Sequence, residues 1–242
     1  MEPKEGICIK YPSYKSFDSF IDVERLRSLD SYITDRIKKR FELNNDLAFY
    51  TGPYRLQEKE PDRPGSRMIY LARSSEPDSY FDLDKSELWH ATEATGEFAL
   101  LMDFIATLPF KSTGRMLIMY DNISRPVTAH RDHAESDICH EFIWFRTNLT
   151  KPFYLLNPTT NERKYVESYS AWFDTVNQFH GSDAADGLTF SIRVDGTFTD
   201  QFREQIPLTD SDNVAATPSL WASLESTKQF DRTVRSRSSE QS

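Results

Sequence analysis

Cysteine, glycine and long apolar runs are all scarce in this chain of 242 residues. The two cysteines, Cys8 and Cys139, form no CxxC pair and no disulfide framework, so a reducing cytoplasm is the expected compartment. The eight glycines contain no G-x-G pair, and none precedes Lys-Ser or Lys-Thr. That excludes the dinucleotide fingerprint and the P-loop. No apolar run is long enough for a membrane helix, and mean hydropathy is −0.61. The opening MEPKEGICIKYPSY lacks the apolar stretch of a signal peptide. Net charge is −9, from 29 basic and 38 acidic residues, so the overall field opposes nucleic acid. What remains is a globular chain able to bury a sizeable core. Its 13% aromatic content points to aromatic-rich strands or a lined pocket.

Residues 17–41 read as one amphipathic helix, with Phe17, Phe20, Ile21, Leu26, Leu29, Ile33 and Ile37 recurring every three or four positions. Residues 44–84 mix short apolar runs with Pro and Gly, including a strand-like MIYLA at 68–72. Residues 86–107 read as a second helix, ended by Pro109. The character then changes. RMLIMY (115–120), EFIWFRTN (141–148), PFYLL (152–156), KYVES (164–168), SAWFD (170–174) and LTFSIRVDG (188–196) are β-branched and aromatic segments separated by turns. Six short strands in one stretch predict a sandwich or barrel rather than a parallel sheet. The expected organisation is one catalytic domain over 1–208. Residues 1–110 are its helical and mixed support, 111–208 its β core, and 209–242 a polar, partly disordered tail. In that tail Leu220, Trp221 and Leu224 suit a short docked helix.

Five histidines occur, and three of them, His130, His133 and His140, crowd the segment AHRDHAESDICHE with Asp132 and Asp137. In an extended segment residues i and i+2 point the same way, so His130 and Asp132 can grip one face of a metal. His180, fifty positions on and before the polar turn GSDAADG, is the leading third ligand. Two His and one carboxylate leave open positions on an octahedral metal, the facial triad of non-haem Fe(II) oxygenases. A solvated polar loop is the competing reading. Thirteen residues after His180 stands Arg193, in a strand where Phe190, Ile192 and Val194 face one way and Ser191 and Arg193 the other. An Arg turned into a barrel requires an anion, and guanidinium is the fork that fits a carboxylate. On an edge strand it would be solvated instead.

The ensemble His130-Arg131-Asp132, His180, Arg193 resembles the 2-oxoglutarate- and Fe(II)-dependent oxygenase superfamily, whose pattern is HxD/E…H…R. The resemblance covers roughly residues 115–205. It implies a mainly β fold with flanking helices (α+β) around a double-stranded β-helix core, a cupin-like jelly roll. Thr147-Asn148, the run from Ser170 to Asp174, His180 and Arg193 resemble the aspartyl/asparaginyl β-hydroxylase and free-proline hydroxylase branch. The chain departs from that branch in having His140 and Phe142 in place of an R-x-H, and Arg193-Val194-Asp195-Gly196 in place of R-x-H-L. The resemblance implies Fe(II) held by His130, Asp132 and His180, with Arg193 on the distal carboxylate of 2-oxoglutarate and O2 as oxidant. Tyr120 has two readings, a contact to the same carboxylate, which the resemblance implies, and plain core packing. Arg146 would bind cosubstrate or substrate if its strand face is inward, and be solvated otherwise. Arg125, Arg131 and His133 flank the metal segment and suit an anionic substrate. Asp132 favours hydroxylation over halogenation, since it fills the position a halide needs. The implied activity is hydroxylation of a small amino-acid-like or natural-product substrate, with no nucleic-acid or membrane partner.

Other readings stand beside it. HRD also opens the protein-kinase catalytic loop, but position 137 is Asp where that loop has Asn, and no DFG occurs. A cupin-like metal enzyme would keep the three ligands without using 2-oxoglutarate. A protein or peptide hydroxylase would use the same centre on a larger substrate. A β-sandwich binding protein would hold no metal.

Overall fold

A computed structural model describes residues 14–44, 66–74, 82–121, 124–132, 141–157, 160–175 and 178–206. The tail 209–242 lies outside these residues, as do His133, His140 and both cysteines. Among the described residues eleven strands run in chain order as β1 (Tyr14–Ser16), β2 (Ser66–Ser74), β3 (Trp89–Ala91), β4 (Phe110–Asp121), β5 (Val127–His130), β6 (Phe142–Phe145), β7 (Phe153–Leu156), β8 (Arg163–Val166), β9 (Ser170–Phe173), β10 (Phe179–Ser182) and β11 (Thr189–Phe198). The helices are α1 (Val23–Ser28), α2 (Asp30–Asn44), α3 (Ala94–Glu97), α4 (Ala99–Ile105) and α5 (Asp200–Gln205). No described helix is long and apolar enough to cross a membrane.

The strands form two antiparallel sheets, ordered β1-β9-β6-β11-β4-β2-β3 and β5-β10-β7-β8. Counted from β4 to β11 as one to eight, the large sheet holds 1-8-3-6 and the small sheet 2-7-4-5. Apart from the β7–β8 hairpin, the chain therefore changes sheets at every step. That order is the jelly roll, or double-stranded β-helix, with helices outside it. Strands β1, β2 and β3 from the N-terminal part extend the large sheet on both flanks.

Alternation divides the large sheet into two faces. Phe145, Ile192 and Ile118 align across β6, β11 and β4 and are wholly buried. Phe104 of α4 meets Phe145 edge-on at 5.6 Å, so helices cover this outer face. Trp144, Arg193 and Leu117 align on the other face. There Trp144 stacks against Phe153 of β7 at 4.7 Å, which joins the two sheets across the interior.

The single helix read over 17–41 is two helices. Asp22 caps α1, its carboxylate accepting from the Arg25 N–H at 2.9 Å, and the chain turns once at Leu29 before α2. The apolar spacing passes through this turn unchanged, because Leu26, Leu29, Ile33 and Ile37 are all buried. The helix read over 86–107 begins later. Trp89–Ala91 instead pairs with β2 as an edge strand, and Thr92 ends it by donating its hydroxyl to the Tyr70 carbonyl.

Gly114 lets the turn before the Ser86–Leu88 helical turn lie against β4. A Cβ there would sit 2.0 Å from the Leu83 carbonyl oxygen, which itself accepts from the Arg115 N–H at 2.9 Å. Backbone on both sides cannot yield cheaply. Gly114→Ala is expected to destabilise the fold by about 2–3 kcal/mol, measured by urea unfolding.

Candidate metal centre

The centre begins with a register. β10 pairs with β5 so that His180 stands directly opposite His130, with ring centroids 4.6 Å apart. Asp132 follows two residues after His130, and its backbone N–H donates to the Thr175 carbonyl at 2.7 Å, which ties it to the connection entering β10. One Asp132 carboxylate oxygen, Oδ1, lies 3.4 Å from His130 Nε2 and 3.7 Å from His180 Nε2. The three residues offer ligand atoms that all lie within 4.8 Å of one another.

The far side of each ring is also set. His130 Nδ1 faces the Thr128 carbonyl at 2.9 Å, and His180 Nδ1 faces the Gln178 carbonyl at 3.1 Å. A ring nitrogen beside a carbonyl oxygen carries the proton, so each Nε2 turns a lone pair toward Asp132. Two lone pairs and a carboxylate then converge at separations longer than a good hydrogen bond. That donor set fits a divalent cation with imidazole and carboxylate preference.

Burial pushes the imidazolium pKa of His180 down, against the pull of Asp132, and so favours the neutral ring a metal needs. His130 is more exposed, and the Asp132 carboxylate beside its Nε2 favours the imidazolium and raises its pKa. Burial would raise the Asp132 carboxyl, but His130 beside it and the charges of His180 and Arg193 hold it well below the usual carboxylate range. Rings of Phe173 and Phe153 lie 5.0 and 6.0 Å from His180 and give this side of the centre a dry wall. The His130 side chain keeps 47% of its surface exposed, so the centre faces outward there.

Arg193 comes to the same place from the large sheet. Its Nη1 lies 3.4 Å from Asp132 Oδ2, and its guanidinium lies over the Phe142 ring at 3.9 Å. The side chain is buried, so the solvated edge-strand reading does not describe it. Its Nε and Nη2 donate to Asp195 Oδ1 at 2.9 and 2.8 Å, and Asp195 Oδ2 accepts from Arg115 Nε at 2.9 Å. Asp195 and Arg115 were not among the residues singled out from the sequence. Asp195 was legible as the second residue after Arg193 on one strand face. Arg115 carried no such signal, because its contact spans eighty positions.

Two further expectations find other surroundings. Tyr120 is opposite Phe190, on the face shared with Ile118 and Ile192, while Arg193 opposite Leu117 is on the other face. The register therefore does not bring Tyr120 to the cluster. Arg146 is buried rather than solvated, and it donates to three backbone carbonyls, Ser168 and Lys151 at 3.2 and 2.9 Å and Val166 at 2.5 Å. Burial pushes its pKa down to about 10. Of the flanking cations, Arg131 lies over Phe179 at 4.9 Å, and the Arg125 carbonyl accepts from Lys151 at 2.8 Å.

No family model matches the chain, and no curated protein does. Among solved structures it is similar to a Pseudomonas putida prolyl-4-hydroxylase, with 11% identity, a TM-score of 0.43, and 80% of this chain and 95% of that one covered. It is also similar to a Trichoplax adhaerens prolyl hydroxylase in complex with a hypoxia-inducible-factor peptide, with 9% identity, TM-score 0.41, and 80% and 86% covered. A third is the viral collagen prolyl hydroxylase of Paramecium bursaria Chlorella virus-1 with 2-oxoglutarate, with 13% identity, TM-score 0.36, and 76% and 94% covered. At these values the fold assignment rests on the strand order described above.

Gly181 is the tightest backbone at the centre. A Cβ there would lie 2.6 Å from the Tyr154 hydroxyl and 2.7 Å from the Val127 carbonyl oxygen. Gly181→Ala is therefore expected to spread β10 from β5, separate the two histidines, and weaken Co(II) binding at least about tenfold by titration. Arg146→Met should behave oppositely. It strands buried carbonyls and should cost about 3 kcal/mol in urea unfolding, with metal affinity unchanged within about twofold.

Proposed function

We propose that the chain is a non-haem Fe(II) oxygenase using 2-oxoglutarate and O2 to hydroxylate a small amino-acid-like or natural-product substrate. One observation carries this reading. A two-histidine, one-carboxylate donor set lies beside a buried arginine whose Nη1 edge reaches the same carboxylate. His130, Asp132 and His180 would hold the metal, and Arg193 would take the distal carboxylate of the cosubstrate. When bound, Fe(II) with 2-oxoglutarate and O2 supplies an oxidant able to break an unactivated C–H bond, as the cosubstrate becomes succinate and CO2.

The chain's own part is positioning and exclusion of water. Thr128 and Gln178 carbonyls keep the imidazole lone pairs inward, so no ring rotation is needed when the metal arrives. Phe142 fixes the plane of Arg193, so an arriving carboxylate meets a set edge rather than a mobile side chain. Trp144, Phe153 and Phe173 pack the interior beside His180 and keep bulk water from that side. Charge also favours a dianionic cosubstrate. Arg193 and Arg115 offset Asp132 and Asp195, so a divalent metal leaves the cluster with positive charge to neutralise.

The run resembling the aspartyl/asparaginyl hydroxylase branch has a structural use here as well. Thr147 and Asn148 both donate to the Asp30 carboxylate, which anchors the end of β6 to the start of α2. A second reading, a metal enzyme of the same fold that does not use 2-oxoglutarate, has one observation in its favour. Arg193 already has a carboxylate partner inside the protein, Asp195. Among the solved structures similar to this chain, the Trichoplax enzyme carries a peptide, so peptide substrates belong in any turnover screen.

Anaerobic titration of the metal-free protein with Fe(II), then 2-oxoglutarate, is expected to produce the weak visible charge-transfer band of the chelate. His180→Ala should abolish it, and Arg193→Ala should weaken cosubstrate affinity by about tenfold to a hundredfold while iron still binds. Iron binding with no band would favour the second reading. A succinate-release screen in which only peptides or proteins stimulate turnover would sink the small-substrate assignment.

A further inference from the structure

Three buried charged groups lie in series on the inner face of the large sheet, and only one of them reaches the metal centre. Asp195, wholly buried, stands opposite Phe142 and two residues from Arg193 on β11. Its Oδ1 takes both Nε and Nη2 of Arg193, and its Oδ2 takes Nε of Arg115. Beside Asp195 the β4–β11 ladder has an irregularity between Val194 and Gly196, facing Met116 and Thr113. Arg115 lies in that interval on β4, and its side chain reaches an inner-face carboxylate. Gly196 makes the close approach possible, since a Cβ there would sit 2.4 Å from the Ser112 carbonyl oxygen.

We infer that Arg115 is a positioning residue: through Asp195 it sets the charge and aim of Arg193, and so the preference for a dicarboxylate over a monocarboxylate 2-oxo acid. This rests on the oxygenase reading above. Charge balance in a buried region with little water requires this role. Asp195 alone would neutralise Arg193, and an incoming carboxylate would meet an ion pair with no net charge. Arg115 takes up the charge of Asp195, so Arg193 faces the centre as a cation. Aim follows from the same bonds. With Nε and Nη2 held by Asp195 and the ring of Phe142 beneath the plane, Nη1 is the edge presented toward Asp132. Charge on Asp195 keeps Arg115 above its usual pKa against the effect of burial. Asp84 also senses Asp195: burial and then the charge of Asp195 push it toward its neutral form, against its own backbone hydrogen bond. Arg115 would touch neither metal nor cosubstrate.

The test compares two ligands on the metal-loaded, oxygen-free protein: 2-oxoglutarate, and 2-oxopentanoate, which has the same chain length without the distal carboxylate. Affinities are read by calorimetry and by the chelate band. Arg115→Gln is expected to weaken 2-oxoglutarate about tenfold or more, with 2-oxopentanoate and metal affinity within about twofold of wild type. Arg115→Lys, which keeps the charge, should recover most of the loss. The double variant Arg115→Gln/Asp195→Asn removes the partner charges together and leaves Arg193 a cation, so its 2-oxoglutarate affinity should return to within about threefold of wild type. Equal weakening of both acids by Arg115→Gln would mean a merely structural role and overturn the inference, as would an unchanged 2-oxoglutarate affinity. If the single variant does not fold, the double variant decides, and a double variant that binds 2-oxoglutarate no better than 2-oxopentanoate overturns it. A wild-type protein that binds metal but neither acid overturns the oxygenase reading itself, and this inference with it.

Discussion

The pairing of β5 with β10 in one register is the constraint on which the site depends. It sets His180 opposite His130 and brings Asp132 between their Nε2 atoms. Side chains alternate along a strand, so a slip of one residue would turn one histidine away from the other and dissolve the donor set. The register is held by features of both strands. Gly181 admits the Tyr154 hydroxyl and the Val127 carbonyl where a Cβ would collide, and Thr175 receives the N–H of Asp132 from across the connection. The jelly-roll order makes the arrangement possible, because β5 and β10 are distant in the chain and adjacent in the small sheet.

The interior also shows two ways of burying a guanidinium. Arg146, just past the end of β6, is satisfied by the backbone carbonyls of Lys151, Val166 and Ser168, and burial lowers its pKa, with no carboxylate bonded to it among the described residues. It acts as a clasp on the chain between β6 and β9. Arg193 and Arg115 share the carboxylate of Asp195, so their charges stay paired and rigid on an inner face. The first solution satisfies donors. The second also leaves a charge directed at the centre, which is what recognition of an anion requires. Both sit within one aromatic interior, where Phe142 lies under Arg193 and Trp144 lies 5.2 Å from the Arg146 guanidinium.

Much of the β architecture was legible in the order of residues. The aromatic and β-branched segments at 115–120, 152–156, 170–174 and 188–196 fall on β4, β7, β9 and β11. Periodicity failed where competing contacts decided the outcome. Trp89–Ala91 has helical spacing but adds an edge to β2, and the short strands β5 and β10 carry polar residues that do not announce a strand. Tyr120 had the right distance in sequence from His130 and the wrong face, since only its pairing with Phe190 shows which way it points.

By itself the sequence determined the donors and the local geometry they could use. Residue types and period-two alternation place His130 with Asp132, and Ser191 and Arg193 apart from Ile192 and Val194, before any folding is known. The tertiary structure decided which distant groups meet. Whether His180 faces His130, whether Asp195 answers to Arg115, and whether Arg146 ends on carbonyls are matters of strand order and register. Those depend on how the two sheets bury their apolar faces together, a property of the whole chain that no short segment encodes.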